Sequence, residues 1–283
     1  MQIAYLILCH TQPAQMGRLV AALPRTSPIF IHVDARTPRA DYDAIVAQTA
    51  GHPLVRFVRR HRCFWSGYGI VRATNTLIAA AVASGIPFDR ATLLSGTDYP
   101  IKPEDEIAAF FAAAGAREFI ETFPLHAPNR WSNHGGSYHG PARVDWFHLR
   151  FRSRAWRMPW WRRLPYGYVA FGGSQWWTLT RAALEHIDRV RVRQPRLRRF
   201  FRNVFLPDES YVQTVLGNSS LAANIVSDDL RLHIWDRPEP PYPAVLKTAD
   251  FALLQASDRL FARKFDLRNH PEVYDRIDGH LRA

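Results

Sequence analysis

Two adjacent carboxylates precede a short apolar stretch in the segment NVFLPDESYVQTVL, residues 203–216. Pro207, Asp208 and Glu209 directly follow the arginine-rich run RVRVRQPRLRRFFR at 189–202. Proline in a first turn and acids near a helix N-terminus are a usual helix start, so capping alone explains this motif. The alternative is chemical, because a carboxylate that nearby cations keep ionised can accept a proton from a nucleophile. The local sequence leaves both interpretations open.

The elements around this motif follow from hydrophobic periodicity. Buried strands are predicted at 3–9, 29–34, 54–58 and 91–96, and helices at 13–23, 41–50, 68–84 and 103–115, with a further strand and helix within 167–187. This alternation predicts an α/β fold with a mostly parallel central sheet and helices on both faces.

Several polar residues follow the predicted strands directly. They are His10, Asp34 in IHVD, and Asp98 in the turn SGTDYP. Ligands bind at the carboxyl ends of strands in such sheets, which makes these residues candidate ligand contacts. Capping of the next turn is the structural alternative for Asp34 and Asp98.

No convincing metal site is present in the sequence. The Asp-X-Asp match Asp41-Tyr42-Asp43 lies at a predicted helix start rather than at a strand end, and the histidines and cysteines lack zinc spacing. The segment FGGSQW, 171–176, matches no phosphate-loop pattern. We therefore expect no metal and no other cofactor. A diphosphate bound without metal needs fixed cations, for which Lys247, Arg263 and Lys264 are candidates, although Arg-Lys pairs are also common on solvated surfaces.

The composition limits the class of partner and the compartment. Lysine and arginine total 37 against 25 acidic residues in 283, giving a net charge of +12 and a pI of about 10.3. Such a balance favours nucleotides, anionic lipids or nucleic acid. Two cysteines provide no disulfide framework, and the apolar opening MQIAYLILCH is a first strand, too short to span a bilayer. We expect a cytoplasmic protein.

The stretch from about 123 to 171 is predicted to be an irregular insertion rich in tryptophan and arginine. Its segment 143–164, RVDWFHLRFRSRAWRMPWWRRL, carries seven arginines and four of the nine tryptophans. The tryptophans could pack on the domain, lie on an anionic membrane surface, or stack on sugar rings. A Pro-rich link at 237–243 precedes the segment 246–266, and residues 267–283 are predicted to form a helical tail.

Seven segments together resemble one family, the core-2/I-branching glycosyltransferases. They occur in the family's order from about residue 4 to 266: AYLILCH, IHVD, FWSGYGIVRA, TLLSGTDYPIK, GSQWWTLTR, LPDESYVQT and LFARKFD. Two of them, SGTDYPIK and FARKFD, look closer to the xylosyltransferase and bacterial members than to the mucin-core branch. The resemblance implies a GT-A-type domain over 1–266.

The activity that the resemblance implies is inverting, metal-independent transfer from a UDP-sugar, such as UDP-GlcNAc or UDP-xylose. The acceptor would be a hydroxyl of a glycan or glycolipid in cell-surface polysaccharide synthesis. By this resemblance Glu209 is the general base, and Lys264 neutralises the diphosphate. Further donor-binding residues would be Asp34, Asp98, Lys247 and Arg263. Acceptor-binding residues would be Glu121, Arg130, Trp131, Ser174 and Trp176.

Two other functions stay open. One is a metal-dependent nucleotide-sugar transferase of another family, and the other is a basic nucleic-acid-binding protein. No nucleic-acid-binding motif accompanies the basic runs, so we expect no nucleic-acid partner. The expected partners are the UDP-sugar, the acceptor and, through 143–164, the inner face of an anionic membrane.

Overall fold

The computed structural model describes residues 1–10, 12–152, 154–237 and 242–281. The strands are β1 (Ile3–Cys9), β2 (Ile29–Val33), β3 (Val55–Phe57), β4 (Arg90–Ser95), β5 (Asp98–Pro100), β6 (Glu118–Ile120), β7 (Phe123–Pro124), β8 (Trp146–Phe151), β9 (Arg154–Trp161), β10 (Phe171–Gly172), β11 (Trp177–Thr180), β12 (Ile225–Val226), β13 (Arg231–His233) and β14 (Phe261–Arg263). The helices are α1 (Pro13–Ala21), α2 (Arg39–Thr49), α3 (Tyr68–Val82), α4 (Glu104–Ala114), α5 (Gly140–Asp145), α6 (Arg181–Arg193), α7 (Pro195–Phe201), α8 (Tyr211–Gly217), α9 (Phe251–Ala256) and α10 (Pro271–Leu281).

A seven-stranded sheet in the order β12-β6-β11-β4-β1-β2-β3 forms the centre of the molecule. Its pairings are parallel except for β11, which runs antiparallel to both β4 and β6. The near-continuous apolar runs of β1 and β2 suit strands that are buried on both faces. The predicted α/β fold with a mostly parallel sheet is confirmed.

The two faces of the sheet carry separate cores. Along β1, the side chains of Tyr5 and Ile7 belong to one apolar cluster, whereas Ala4 and Leu6 belong to the other. The first cluster includes residues of α1, α2, α4, α9 and α10, and the second includes residues of α3, α6, α7 and α8. Helices therefore cover both faces, as the alternating pattern predicted. In the described part of the chain, none of the helices combines the length and apolar character needed to cross a bilayer.

The C-terminal segment forms a helix, α10, which is integrated into the first core. Tyr274 is fully buried and packs its ring against Tyr99, and Tyr99 donates a hydrogen bond of 2.6 Å to Asp278. Arg18 on α1 pairs with Asp275 and Asp278 at 2.6 and 2.8 Å. The predicted helix is present, but packing continues without a break across the boundary that we placed after residue 266. Of the predicted Pro-rich link 237–243, residues 238–241 lie outside the described residues.

The insertion from 123 to 171 is more regular than predicted. Strands β8 and β9 form an antiparallel hairpin over residues 146–161, so the expectation of irregular structure is wrong there. Large apolar residues do alternate along β8, at Phe147, Leu149 and Phe151. The polar residues between them, His148 and Arg150, obscured this period of two in the sequence.

Candidate active site

The Pro207–Glu209 motif forms a single 3₁₀ turn of its own, and α8 begins after it at Tyr211. Leu206 has a left-handed backbone, with φ of 50°, and Ser210 at φ of −145° separates the turn from the helix. No side-chain cap is made at the start of either the turn or α8. The predicted helix start is therefore misplaced: Pro207 and the two acids lie in the first turn of a separate 3₁₀ segment rather than in that of α8.

The Glu209 carboxylate is held by a buried arginine. Arg143 Nη1 donates to Glu209 Oε2 at 2.6 Å, and the two side chains are 4% and 32% exposed. Burial lowers the pKa of Arg143, and the carboxylate of Glu209 opposes this. No hydrogen bond from the described residues reaches Oε1. One oxygen of Glu209 is thus anchored, while the other makes no hydrogen bond within the described part of the chain.

Arg143 was not among the predicted site residues. Its guanidinium lies 3.6 Å from the centre of the Trp131 ring, and its Nε donates to the Tyr138 carbonyl at 3.1 Å. The arginine-rich composition hid it, because nothing in the sequence separates this residue from the six other arginines of 143–164. Only its burial shows that it is the one paired with Glu209.

Three predicted acceptor residues lie together beside this pair. Arg130 makes two hydrogen bonds to Glu121, at 2.8 and 2.7 Å, and its guanidinium lies 5.2 Å from the Trp131 ring centre. Trp131 itself is buried. It therefore supports Arg130 and Arg143, and in this structure its ring is not exposed for stacking on a sugar.

Two glycines allow these segments to approach one another. A Cβ on Gly172 would lie 2.4 Å from the Trp131 ring, and a Cβ on Gly173 would lie 1.8 Å from the Glu121 carbonyl oxygen. Gly173 also donates its N–H to the Glu209 carbonyl at 3.0 Å. The glycines of FGGSQW thus allow close packing against Trp131 and against the backbones of Glu121 and Glu209, where a side chain could not fit.

A second group of site candidates surrounds a buried ion pair. Asp98 Oδ1 lies 3.1 Å from Arg263 Nε, and Asp98 Oδ2 accepts from the Ser95 N–H at 2.5 Å. The Arg263 guanidinium lies 4.2 Å from the centre of the Trp176 ring. Burial lowers the pKa of Arg263, with Asp98 acting in the opposite direction. Asp98 is thus buried in an ion pair with Arg263, although the geometry of these two atoms does not make a hydrogen bond.

Ser174 and Trp176, predicted on the acceptor side, lie with this second group. Ser174 Oγ donates to Asp229 Oδ2 at 2.6 Å. The negative charge of Asp229, like that of Asp98, acts to raise the pKa of Arg263. Trp176 is the aromatic ring beneath Arg263. The two groups are joined through the chain between Gly173 and Trp176, since Gly173 bonds to Glu209.

The two predicted lysines, Lys247 and Lys264, lie on neighbouring backbone segments. Lys264 Nζ donates to the Tyr242 carbonyl at 2.9 Å, and burial together with Arg263 lowers its pKa. The N–H of Leu246 donates to the Lys264 carbonyl at 2.8 Å, which brings the exposed Lys247 to the same region. Lys264 and Arg263 are therefore electrostatically coupled, and Lys247 lies on the backbone segment next to Lys264.

Asp34 lies at the carboxyl edge of the sheet, as predicted, but its oxygens are already occupied. Its carboxylate accepts from the N–H and the guanidinium of Arg36, at 2.8 to 3.1 Å, and from the Cys63 N–H at 3.3 Å. The capping alternative applies, because the Asp34 side chain and carbonyl close the turn at 34–37. Arg36 is half exposed, but its guanidinium is paired with Asp34 and stacks on the Phe64 ring, 4.6 Å from the ring centre.

No group of three histidine, cysteine, aspartate or glutamate side chains among the described residues is arranged to hold a metal ion. The Asp41-Tyr42-Asp43 motif lies within α2, where Asp43 pairs with Arg39 at 2.8 Å. This agrees with its interpretation as part of a surface helix.

Comparisons with known proteins identify the class. A family model described as Core-2/I-Branching enzyme matches residues 3–255. Over 99% of its length the chain is 31% identical to xylosyltransferase 2 of Mus musculus and 30% identical to that of Homo sapiens, covering 34% of each. It is 25% identical to xylosyltransferase 1 of Rattus norvegicus, of which it covers 35%. The chain belongs to the Core-2/I-Branching enzyme family, a family of glycosyltransferases, which confirms the resemblance of the seven segments. It spans about a third of the length of these curated relatives.

Proposed function

We propose that the chain is an inverting glycosyltransferase, which moves a sugar from a UDP-sugar to a hydroxyl of a glycan or glycolipid. The observation that carries this proposal is Glu209, whose Oε2 is fixed by buried Arg143 while Oε1 stays open. Membership of the family supports the general activity, and the names of the xylosyltransferase relatives make UDP-xylose the first donor to test, with UDP-GlcNAc next.

In the proposed reaction Glu209 Oε1 takes the proton of the acceptor hydroxyl. The hydroxyl oxygen forms its bond to the anomeric carbon as the bond from that carbon to the UDP oxygen breaks on the opposite side. UDP leaves with the bonding electrons, and the configuration at the anomeric carbon inverts. Arg143 keeps the carboxylate oriented, and a positioned base of this kind contributes about 10²–10⁴ in rate.

The leaving diphosphate would meet fixed cations instead of a metal ion. Lys264 and Arg263, with Lys247 on the adjoining segment, are the candidate cations, and preorganised charges stabilise a leaving phosphate without having to rearrange. Asp98 orients Arg263 in this scheme. Asp34 and its partner Arg36 would contact the nucleoside, for which the carboxylate must exchange at least one of its present hydrogen bonds.

The acceptor would approach from the side of the Glu121–Arg130 pair, which is partly exposed. We propose a glycan or lipid-linked acceptor used in cell-surface polysaccharide synthesis, and a cytoplasmic location at the inner face of the membrane. The supporting observations are the free cysteines Cys9 and Cys63 and the basic hairpin described in the next subsection.

Calorimetric titration of UDP into the protein, first in excess EDTA and then with Mn²⁺, tests the donor site. Binding in EDTA that Mn²⁺ leaves unchanged is the expected result. Binding only with Mn²⁺ would favour the metal-dependent alternative. Salt-sensitive binding to DNA without any response to UDP would instead favour a nucleic-acid-binding protein.

A variant tests the base directly. Glu209→Gln should retain UDP binding and lose transfer activity by about 10²–10⁴, because the amide cannot take the proton. Glu185→Gln is the matched control, since Glu185 also pairs with an arginine, Arg181, but on the exposed surface of α6. Near-normal turnover by Glu209→Gln would contradict the assignment.

A further inference from the structure

The β8–β9 hairpin presents one apolar face to solvent. Leu149 lies opposite Trp156 and Phe151 opposite Arg154, and side chains alternate between the faces of a strand. Phe147 joins this face because its ring contacts that of Trp160, with centroids 5.3 Å apart. We call the following set the outward face: Phe147, Leu149, Phe151, Arg154, Trp156, Met158 and Trp160. Its residues Leu149, Phe151, Trp156 and Trp160 are 50%, 65%, 47% and 56% exposed.

On the opposite face, His148 and Arg150 of β8 attach the hairpin to the domain, whereas Arg157 and Trp161 of β9 are exposed. His148 is fully buried, and its backbone N–H donates to the Asn203 carbonyl at 2.9 Å. Arg150 donates to the Ser66 carbonyl at 2.5 Å and to the Ser66 hydroxyl at 3.0 Å. These contacts already hold the hairpin against the domain. The outward face is therefore not needed for packing within the chain.

The surroundings of the outward face are cationic. Residues 146–164 contain six arginines and no aspartate or glutamate. Four of these arginines stack on aromatic rings of the hairpin: Arg152 on Phe151, Arg157 on Trp146, Arg162 on Phe147 and Arg163 on Trp161. None of the six pairs with a carboxylate in the described part of the chain. The hairpin therefore combines a large exposed apolar surface with unneutralised positive charge.

We propose that the outward face docks on an anionic phospholipid surface. Tryptophan and phenylalanine would enter the headgroup region, and the arginines would meet lipid phosphates. A second copy of the chain fits less well, because a self-complementary contact would place arginine against arginine. A polyanion such as nucleic acid would use the charges but would leave the apolar side chains exposed.

Docking in this way would bring the candidate base to the membrane. Arg143 lies in α5, which leads directly into β8, and the ring of His148 lies 5.6 Å from that of Phe205, just before the Pro207–Glu209 turn. The hairpin and Glu209 therefore share one rigid support. If the chain is the glycosyltransferase proposed above, this geometry favours a lipid-linked acceptor. The membrane docking itself does not depend on that function.

Flotation of the full chain with vesicles tests the docking. The protein should float with vesicles of phosphatidylglycerol and phosphatidylcholine, and not with phosphatidylcholine alone. The triple variant Phe151→Ser, Trp156→Ser, Trp160→Ser should float at least about tenfold less, because membrane binding scales with buried apolar area. Trp235→Ser, which removes a tryptophan 60% exposed elsewhere on the surface, is the matched control and should float normally.

A single substitution separates loss of membrane binding from misfolding of the triple variant. Phe151→Glu changes only the most exposed aromatic side chain of the outward face and introduces a charge that the anionic surface repels. It should also float less, with an unchanged circular dichroism spectrum. Equal flotation of the wild type and both variants would overturn the proposal. So would a wild-type dimer that fails to float and dissociates in the triple variant, since a second copy would then cover this face. Titration with UDP reports separately on the proposed function.

Discussion

Asp208, the neighbour of the candidate base, should make the stability of the protein depend on pH. Its Oδ1 is shielded from solvent and has no hydrogen-bond partner among the residues that the structure describes. It lies against a cavity of about 10 Å³, lined in part by Thr74, Trp177 and Tyr211, which is room for one water at most. Burial first, and the charge of Glu209 second, raise the pKa of Asp208 from 3.8 to about 7.

The sign of the effect follows from proton binding. Between pH 3.8 and about 7 the folded protein keeps a proton on Asp208 that the unfolded chain releases. The free energy of unfolding therefore falls as the pH rises through this window. The full shift corresponds to about 4 kcal/mol. Since the side chain is only partly buried and shares its shift with Glu209, we expect Asp208→Asn to gain about 1–3 kcal/mol relative to wild type between pH 4 and pH 8.

Urea denaturation of wild type and Asp208→Asn at several pH values between 4 and 8 measures this difference. Asp258→Asn is the control, because the Asp258 side chain is almost fully exposed. The gain of Asp208→Asn should also shrink when Glu209→Gln is present in both proteins, because the neighbouring charge is then absent. A difference between wild type and Asp208→Asn that stays constant across this pH range would refute the reasoning.

Three further substitutions test the site. Arg143→Met should lower the free energy of unfolding by about 2–3 kcal/mol and reduce transfer activity. The reason is that the Glu209 carboxylate loses its only side-chain partner among the described residues. An unchanged urea midpoint and an unchanged transfer rate would contradict this prediction. Lys264→Met should weaken UDP binding about tenfold by calorimetry, whereas Lys102→Met should not, and equal affinities would remove Lys264 from the donor site. Gly173→Ala should destabilise the protein by about 1–3 kcal/mol or more, because the new Cβ would overlap the Glu121 carbonyl, while Gly51→Ala, which has open space, should unfold like wild type.

The sequence predicted the positions of the main strands and helices well in the N-terminal half. Continuous apolar runs such as IAYLILC and IFIHV suit strands buried on both faces, and their period leaves little choice of conformation. It failed in the hairpin at 146–161, where arginines interrupt the apolar pattern yet make contacts of their own with rings and carbonyls. It also failed at Pro207–Glu209, because the left-handed backbone of Leu206 has no signature in the sequence.

What the sequence determined by itself was the class: the alternating elements gave the α/β fold, and seven ordered motifs indicated the family that the comparisons confirm. Tertiary structure alone decided which of many arginines meets Glu209, and that Ser174 and Trp176 lie beside Arg263 rather than beside Trp131. It also decided which face of the hairpin is exposed. The reason is physical. Periodicity and motif order are local properties of a chain, whereas the pairing of a buried charge depends on segments that are distant in sequence, such as 143 and 209, and that folding brings within hydrogen-bond distance.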